Sequence, residues 1–369
     1  MTRKLRVGIL GATGMVGQRF VSLLEQNSQF EVVAVAATEK SAGRTYEDVV
    51  GNRWVMGKRP PIPVRDLTVL DAWSDRERIC NEVDFVFCAM DADRGSVAEL
   101  ETSYAKSELP VVSNTKAHRW TKDVPIVIPE VNPEHIRIID VQRRRLGTKY
   151  GFIAAKPSCS VQSYVPAIHA LRHFEPTEVR VVLLVAVSGS GRPTRPPTNN
   201  EMYTFSCWPD FVDNAIPLAR EEEEKGEREP LKIWGSIDLS KGTIEEASLP
   251  TISAQFIRVP VTDGHTAAVF LSLRSEPTTE EILASWREFA ARPIPGGQGP
   301  LLTYRDDGPQ ANRDRDAANG MGITIGRLCK DKLLGYRFLA LSHNMVRGAA
   351  GGAILMAELL RAEGYIQAK

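Results

Sequence analysis

Cys159 stands in the run Lys156-Pro157-Ser158-Cys159-Ser160, between a strand-like segment (residues 151–155) and a helical pattern (residues 161–171). A cysteine at the N-terminal end of a helix has its thiolate stabilised by the free N–H groups there, which makes it a nucleophile at neutral pH. Pro157 and Ser158 are turn formers and suit a bend that presents a thiol. The second candidate is His265, in Arg258-Val259-Pro260-Val261-Thr262-Asp263-Gly264-His265. The Asp-Gly turn puts this imidazole at a loop or strand edge, where it can exchange protons with solvent and substrate. Arg258 opens the same run, and a planar cation beside such a pair suits a carboxylate. Taken alone, the same residues also fit a buried inert thiol, a surface-turn histidine and a salt-bridged arginine. Cys80 and Cys88 on apolar segments read as buried, and His169 and His173 as structural.

A third feature is a glycine turn. Gly11, Gly14 and Gly17 follow the strand-like residues 6–10 (RVGIL) and open a helical pattern with Val16, Phe20, Leu23 and Leu24 on one face. Strand, glycine turn and helix together form a pyrophosphate cradle, because glycine lets the backbone come close and the helix N-terminus offers N–H donors. The candidate cofactor contacts here are Gly11, Thr13, Gly14, Met15, Val16 and Gly17. At the ribose end, Glu39 suits a 2′-hydroxyl and hence NAD, whereas Thr38, Lys40 and Ser41 suit a 2′-phosphate; the balance favours NADP.

These groups need a scaffold. Residues 31–37, 84–89, 110–113 and 151–155 read as strands and residues 97–106 as a helix, an alternation that implies a parallel sheet with crossover helices. Residues 41–70 read as an irregular excursion. After Cys159, longer β-like runs at 179–187, 255–261 and 269–274 suggest a more antiparallel sheet. Residues 189–200 and 292–300 are rich in proline and glycine and read as loops. The charge-dense run 221–229 reads as a solvated helix face. The final helical pattern, residues 348–365, suits packing back on the first domain. The expected fold is α/β: a Rossmann-like domain over 1–155, completed by 345–369, and an α+β domain over 156–344.

Composition narrows the function classes. The 369 residues are 43% hydrophobic and 25% charged, with 46 basic and 46 acidic side chains. Zero net charge gives no electrostatic case for nucleic acid or an anionic membrane. The longest apolar run, residues 181–187, is far short of a membrane span. Residues 1–10 offer no signal-peptide pattern. The five cysteines are scattered, with neither metal-ligand spacing nor a disulfide framework, which favours a reducing cytoplasm and no metal.

Taken together the segments resemble the aspartate-β-semialdehyde dehydrogenases of the archaeal and fungal type. The resemblance runs through the glycine turn, residues 38–43 (TEKSAG), 113–119 (SNTKAHR), 124–132 (VPIVIPEVN), the Cys159 turn, 188–191, 213–217 (DNAIP), 222–233 (EEEKGEREPLKI), 258–265 and 343–351 (HNMVRGAAG). It implies NADPH-dependent reductive dephosphorylation of L-aspartyl 4-phosphate to aspartate 4-semialdehyde and phosphate through a cysteine thioacyl intermediate. Cys159 would be the nucleophile and His265 the acid/base. Arg258 would bind the substrate carboxylate and Glu223 its ammonium group, Arg119 and Lys225 the phosphate with Asn114 nearby. Ser188, Gly189 and Asn344 would line the nicotinamide pocket. The family assembles as dimers or tetramers through its second domain.

The chain departs from the family pattern at two positions. Ser158 replaces an asparagine before the nucleophile, and Val185 replaces a glutamine that orients substrate at the thioester. Losing a polar contact to a reacting group typically costs a few kcal/mol, so either the pocket compensates or the substrate differs. A malonyl-CoA reductase is the alternative within the same chemistry, and Glu223 with Lys225 argues against it. N-acetyl-glutamyl-phosphate reductase fits the motifs less well. A non-catalytic dinucleotide-binding paralogue is disfavoured by the presence of both Cys159 and His265.

Overall fold

Strand β1 (Leu5–Leu10) is apolar at every buried position and leads straight into the glycine turn and α1 (Met15–Leu24). Beside it lie β2 (Phe30–Ala37), β3 (Leu70–Asp71), β4 (Phe85–Cys88), β5 (Val111–Ser113) and β6 (Ile153–Ala155). In this computed structural model, which describes residues 3–57, 59–191, 211–290 and 300–369, they form one sheet in the order β3-β2-β1-β4-β5-β6. Its strand pairs are parallel. The strand order reverses between β1 and β4, and the carboxyl ends at such a switch point open a crevice suited to a ligand. Cys207 and residues 192–200 and 292–299 of the two expected loops lie outside the described residues.

Apolar layers cover both faces of this sheet. On one face Phe20, Val21 and Leu24 of α1 pack with Met356, Leu359 and Leu360 of the C-terminal helix (Gly351–Ala362). On the other, Val97, Leu100 and Tyr104 of α2 (Arg94–Lys106) pack with Ile79 and Val86. This first unit comprises Met1–Lys156, Ile237–Ile244 and Ala350–Lys369. The stretch 41–70, expected to be irregular, contains the short helices Tyr46–Val50 and Ile62–Arg65.

The second unit comprises Pro157–Ser236 and Glu245–Ala349. Its strands are β7 (Pro176–Val185), β8 (Ile216–Pro217), β11 (Thr251–Arg258), β12 (His265–Leu273), β13 (Leu302–Arg305), β14 (Ile323–Asp331) and β15 (Gly335–Ser342). The short pair β9 (Ser236–Asp238) and β10 (Thr243–Glu245) lies between β8 and β11 in the chain. The sheet order is β13-β14-β15-β12-β7-β11-β8. The expectation of a more antiparallel sheet holds for β12 against β7 and β15, but β11 runs parallel to β7 and β13 parallel to β14. Helix α3 (Arg220–Ile233) packs along β11 and holds the charge-dense run. Its Glu227 and Glu223 accept the N–H groups of Ala254 and Phe256, each at 3.1 Å. These donors lie on the side of β11 away from β7, so the two carboxylates cap an otherwise open strand edge.

Candidate active site

In the first unit the glycine turn has the shape a pyrophosphate requires. Gly11 adopts φ +83°, and a Cβ there would lie 2.4 Å from the Ala89 carbonyl oxygen at the end of β4. A Cβ on Gly17 would lie 2.2 Å from the Gly11 carbonyl oxygen. Only glycine lets β1, β4 and α1 come this close. Gly14 is exposed and caps α1 without any side-chain acceptor, leaving the first turn open to an anion. The Tyr46 hydroxyl donates to the Ala12 carbonyl at 2.9 Å and Gln18 Nε2 to that of Thr13 at 3.1 Å, so the turn is braced from behind. Met15 and Val16 form the first helical residues. Past the end of β2, Thr38, Glu39 and Lys40 are exposed, with Ser41 closing the single turn Glu39–Ser41.

The same unit presents Asn114 and Arg119 beyond β5. The Asn114 N–H donates to the Cys88 carbonyl at 2.8 Å, and its Oδ1 is buried without a partner among the described residues. Arg119 is buried and donates to the carbonyls of Lys156 (3.1 Å) and Asn114 (3.3 Å). The flanking hydroxyls of Ser113 and Thr115 donate to Glu101 Oε1 at 2.6 and 3.0 Å. Burial holds that carboxyl above its ordinary pKa.

In the second unit Cys159, His265 and Arg258 line one cavity of about 470 Å³, with Val185, Gly189 and Glu222 also in its wall. Cys159 begins a one-turn helix, Cys159–Val161, and the α-helix that follows is only Val165–His169. The continuous helix expected over residues 161–171 is therefore broken, and the dipole behind the thiol is that of a single turn. Arg258, the last residue of β11, supplies a positive charge in the same cavity. Its guanidinium donates to the Ala186 carbonyl at 2.9 Å. Burial pulls its pKa below the ordinary value, yet an arginine stays charged.

His265 corrects an expectation. It is the first residue of β12 and fully buried, not at an exposed edge, because the Gly264 turn is packed against Ala311 and Arg315. Burial first, then the charges of Arg258 and His343, push its pKa down to about 3. The imidazole is therefore neutral at physiological pH. The Ala186 N–H donates to Nδ1 at 3.1 Å, which assigns the proton to Nε2. Nε2 is buried without a partner among the described residues. The ring lies against Gly189, where a Cβ would come within 3.1 Å of it. Asn344 joins this wall to the turn, since its Oδ1 accepts the Gly264 N–H and its Nδ2 donates to Ser188 Oγ, both at 2.8 Å.

Helix α3 brings a second correction. Glu223 does not line the cavity, because its carboxylate is taken by the Phe256 N–H and by Arg220. Glu222 lines it instead and forms a close ion pair with Lys225. The signal was in the spacing, since residues three apart share a helix face and residues two apart do not. Val185 is buried in the cavity wall, as its apolar character requires. The Ser158 hydroxyl is buried without a partner among the described residues.

Known proteins match this architecture along its length. Residues 6–139 fit the family model described as semialdehyde dehydrogenase, NAD binding domain, and residues 166–347 the semialdehyde dehydrogenase dimerisation domain. The aspartate-semialdehyde dehydrogenase of Archaeoglobus fulgidus is 38% identical, over 98% of this chain and 99% of its own. That of Aspergillus fumigatus is 37% identical over 98% and 99%. The crystal structure of the Candida albicans aspartate semialdehyde dehydrogenase with NADP superposes with a TM-score of 0.83 at 32% identity, covering 99% of this chain and 100% of that one. A chain that fits both semialdehyde dehydrogenase domain models and shares about a third of its residues with these proteins over nearly its full length belongs to the aspartate-semialdehyde dehydrogenase family.

Proposed function

We propose that this chain reduces L-aspartyl 4-phosphate to L-aspartate 4-semialdehyde, with NADP as cofactor and Cys159 as the residue that carries the acyl group. The observation that carries the assignment of residues is the cavity of the second unit, where a thiol, a neutral imidazole and a guanidinium from three separate segments meet. The glycine turn fits the pyrophosphate of NADP, and exposed Lys40 with Thr38 and Ser41 suits its 2′-phosphate. Asn114 offers in the first unit a buried amide oxygen that has no partner among the described residues.

The Cys159 thiolate attacks the acyl carbon, the C–O bond to phosphate breaks, and phosphate leaves with the electron pair. Arg258 pairs with the substrate α-carboxylate and Glu222 with its ammonium group. Lys225, on the same face of α3 as Glu222, holds the phosphate. When bound, NADPH supplies the hydride that reduces the thioacyl carbon. His265 holds a proton at Nε2 and gives a hydrogen bond to the oxygen on which negative charge develops, a role that a neutral, locked tautomer fills. Collapse of the hemithioacetal breaks the C–S bond, frees the aldehyde and returns the thiolate.

The dimerisation-domain match over residues 166–347 supports a homodimer or homotetramer built on the second unit, and Leu184 on its sheet is 39% exposed. Among the described residues no helix is long and apolar enough to cross a membrane. Cys80, Cys88 and Cys329 form no disulfide among the described residues, which supports a cytoplasmic site of action. The deciding test is spectrophotometric: aspartate semialdehyde, phosphate and NADP beside malonyl-CoA with NADPH. Turnover of the first, abolished in Cys159→Ala, is expected; turnover of malonyl-CoA alone would overturn the assignment.

A further inference from the structure

Helix α3 grips the nucleophile segment at two buried points that the reaction scheme leaves unused. Glu229 is fully buried, and its Oε2 accepts the Ser158 N–H at 2.6 Å. Pro230 stands inside the helix and has no N–H, so the Gly226 carbonyl four residues earlier loses its helical donor. The buried Tyr164 hydroxyl takes that carbonyl at 2.7 Å. Gly226 also lets α3 lie close on β11, because a Cβ there would lie 2.5 Å from the Phe256 ring. Ser158 immediately precedes Cys159 and Tyr164 follows it by one short turn. One helix thus holds both flanks of the thiol.

The same stripe of α3 carries Glu222, Lys225, Gly226 and Glu229, at i, i+3, i+4 and i+7. Its rotation is fixed from the other side by Glu223 and Glu227 on the edge of β11. A buried carboxyl is costly unless it is hydrogen-bonded, and here its Oε2 serves the peptide N–H of the turn that bears the thiol.

We propose that Glu229 is a positioning residue for Cys159, fixing the Ser158 peptide from behind while Tyr164 fixes the far flank. The proposal rests on Cys159 being the nucleophile. It assigns to α3 two tasks on one stripe: contact with substrate through Glu222 and Lys225, and alignment of the sulfur through Glu229. A misplacement of about 1 Å at a reacting atom can cost roughly 100-fold in rate, so the effect belongs in kcat rather than in substrate affinity.

The test uses the full-length protein and the variants Glu229→Gln, Glu229→Ala and Tyr164→Phe. It measures kcat and KM for aspartate semialdehyde, NADP affinity, thermal unfolding, and the rate of Cys159 alkylation by mass spectrometry. Glu229→Ala is expected to lower kcat about 10- to 100-fold and to change the alkylation rate, with KM within about threefold. Glu229→Gln, whose amide oxygen can still accept the Ser158 N–H, should recover kcat to within about fivefold of wild type, and Tyr164→Phe should cost about two- to tenfold. The proposal is overturned if the Glu229 variants keep kcat and alkylation rate within about twofold of wild type. It is equally overturned if Gln and Ala lose activity alike and in step with a lowered unfolding temperature, the mark of a purely structural carboxyl. Wild-type protein with no more activity than Cys159→Ala would instead defeat the functional reading beneath it.

Discussion

At the scale of single residues, the protonation of His265 decides what it can do. With its pKa near 3, the imidazole does not titrate where an ordinary histidine would, so kcat should show no limb near pH 6.5. Stability follows the same shift. The folded pKa lies below the unfolded value of 6.5, so the unfolded chain takes up a proton first as pH falls. The stabilising contribution is complete above about 6.5 and is lost toward pH 3, at about 1.4 kcal/mol per pH unit. Denaturant titrations from pH 7 to 4 should therefore show a shallower loss in His265→Gln than in wild type. At the cofactor end, Lys40→Ala should weaken NADPH binding about tenfold by calorimetry and leave NADH nearly unchanged, the loss of one charge-assisted hydrogen bond. The glycine turn was legible as a strand, turn and helix in sequence, whereas the short runs around Cys159 and His265 singled those residues out without deciding between a reactive and a structural role. The locked tautomer was not legible, since it depends on the Ala186 N–H, 79 positions away in the chain.

At the scale of elements, α3 separates two neighbouring glutamates by function. Glu222→Ala should raise KM for aspartate semialdehyde roughly 10- to 100-fold with an unchanged melting temperature. Glu223→Ala should instead cost about 1–3 kcal/mol of stability, because it strands the buried-edge N–H of Phe256, with KM nearly unaltered. Thermal melts and steady-state kinetics on the pair distinguish the outcomes. In a run of four consecutive glutamates, composition alone cannot say which one faces the thiol; the phase of the helix is set by β11, a strand far along the chain. The parallel sheet was legible because β1, β2 and β4 are short apolar runs punctuated by glycine or polar turns. Strands β14 and β15 raised no expectation, because Arg327, Lys330 and Arg337 interrupt the apolar pattern that marks β7.

At the scale of the whole molecule, the first unit is assembled from three separated pieces of chain. Its core is closed by Ile354, Met356, Leu359 and Leu360 of the C-terminal helix, all buried against the β1 face. Each such side chain contributes about 1.5–3 kcal/mol, against a total stability of about 5–15 kcal/mol for a domain. A fragment ending at Lys156 is therefore expected to lack a cooperative thermal transition, and adding the 350–369 peptide in trans should restore one in part. The final helical pattern was visible in the sequence as a row of leucines; that Ile237–Ile244 also belongs to this unit was not, since nothing local distinguishes it. The late position of that helix also has a temporal meaning. A ribosome makes the nucleotide-cradle segment well before the closing helix, so until residues 351–362 emerge the sheet face that this helix shares with α1 is only partly covered. Apolar surface left open in this way is prone to aggregate, and how long it stays open is set by where, along the reading frame, the lid of that core is encoded.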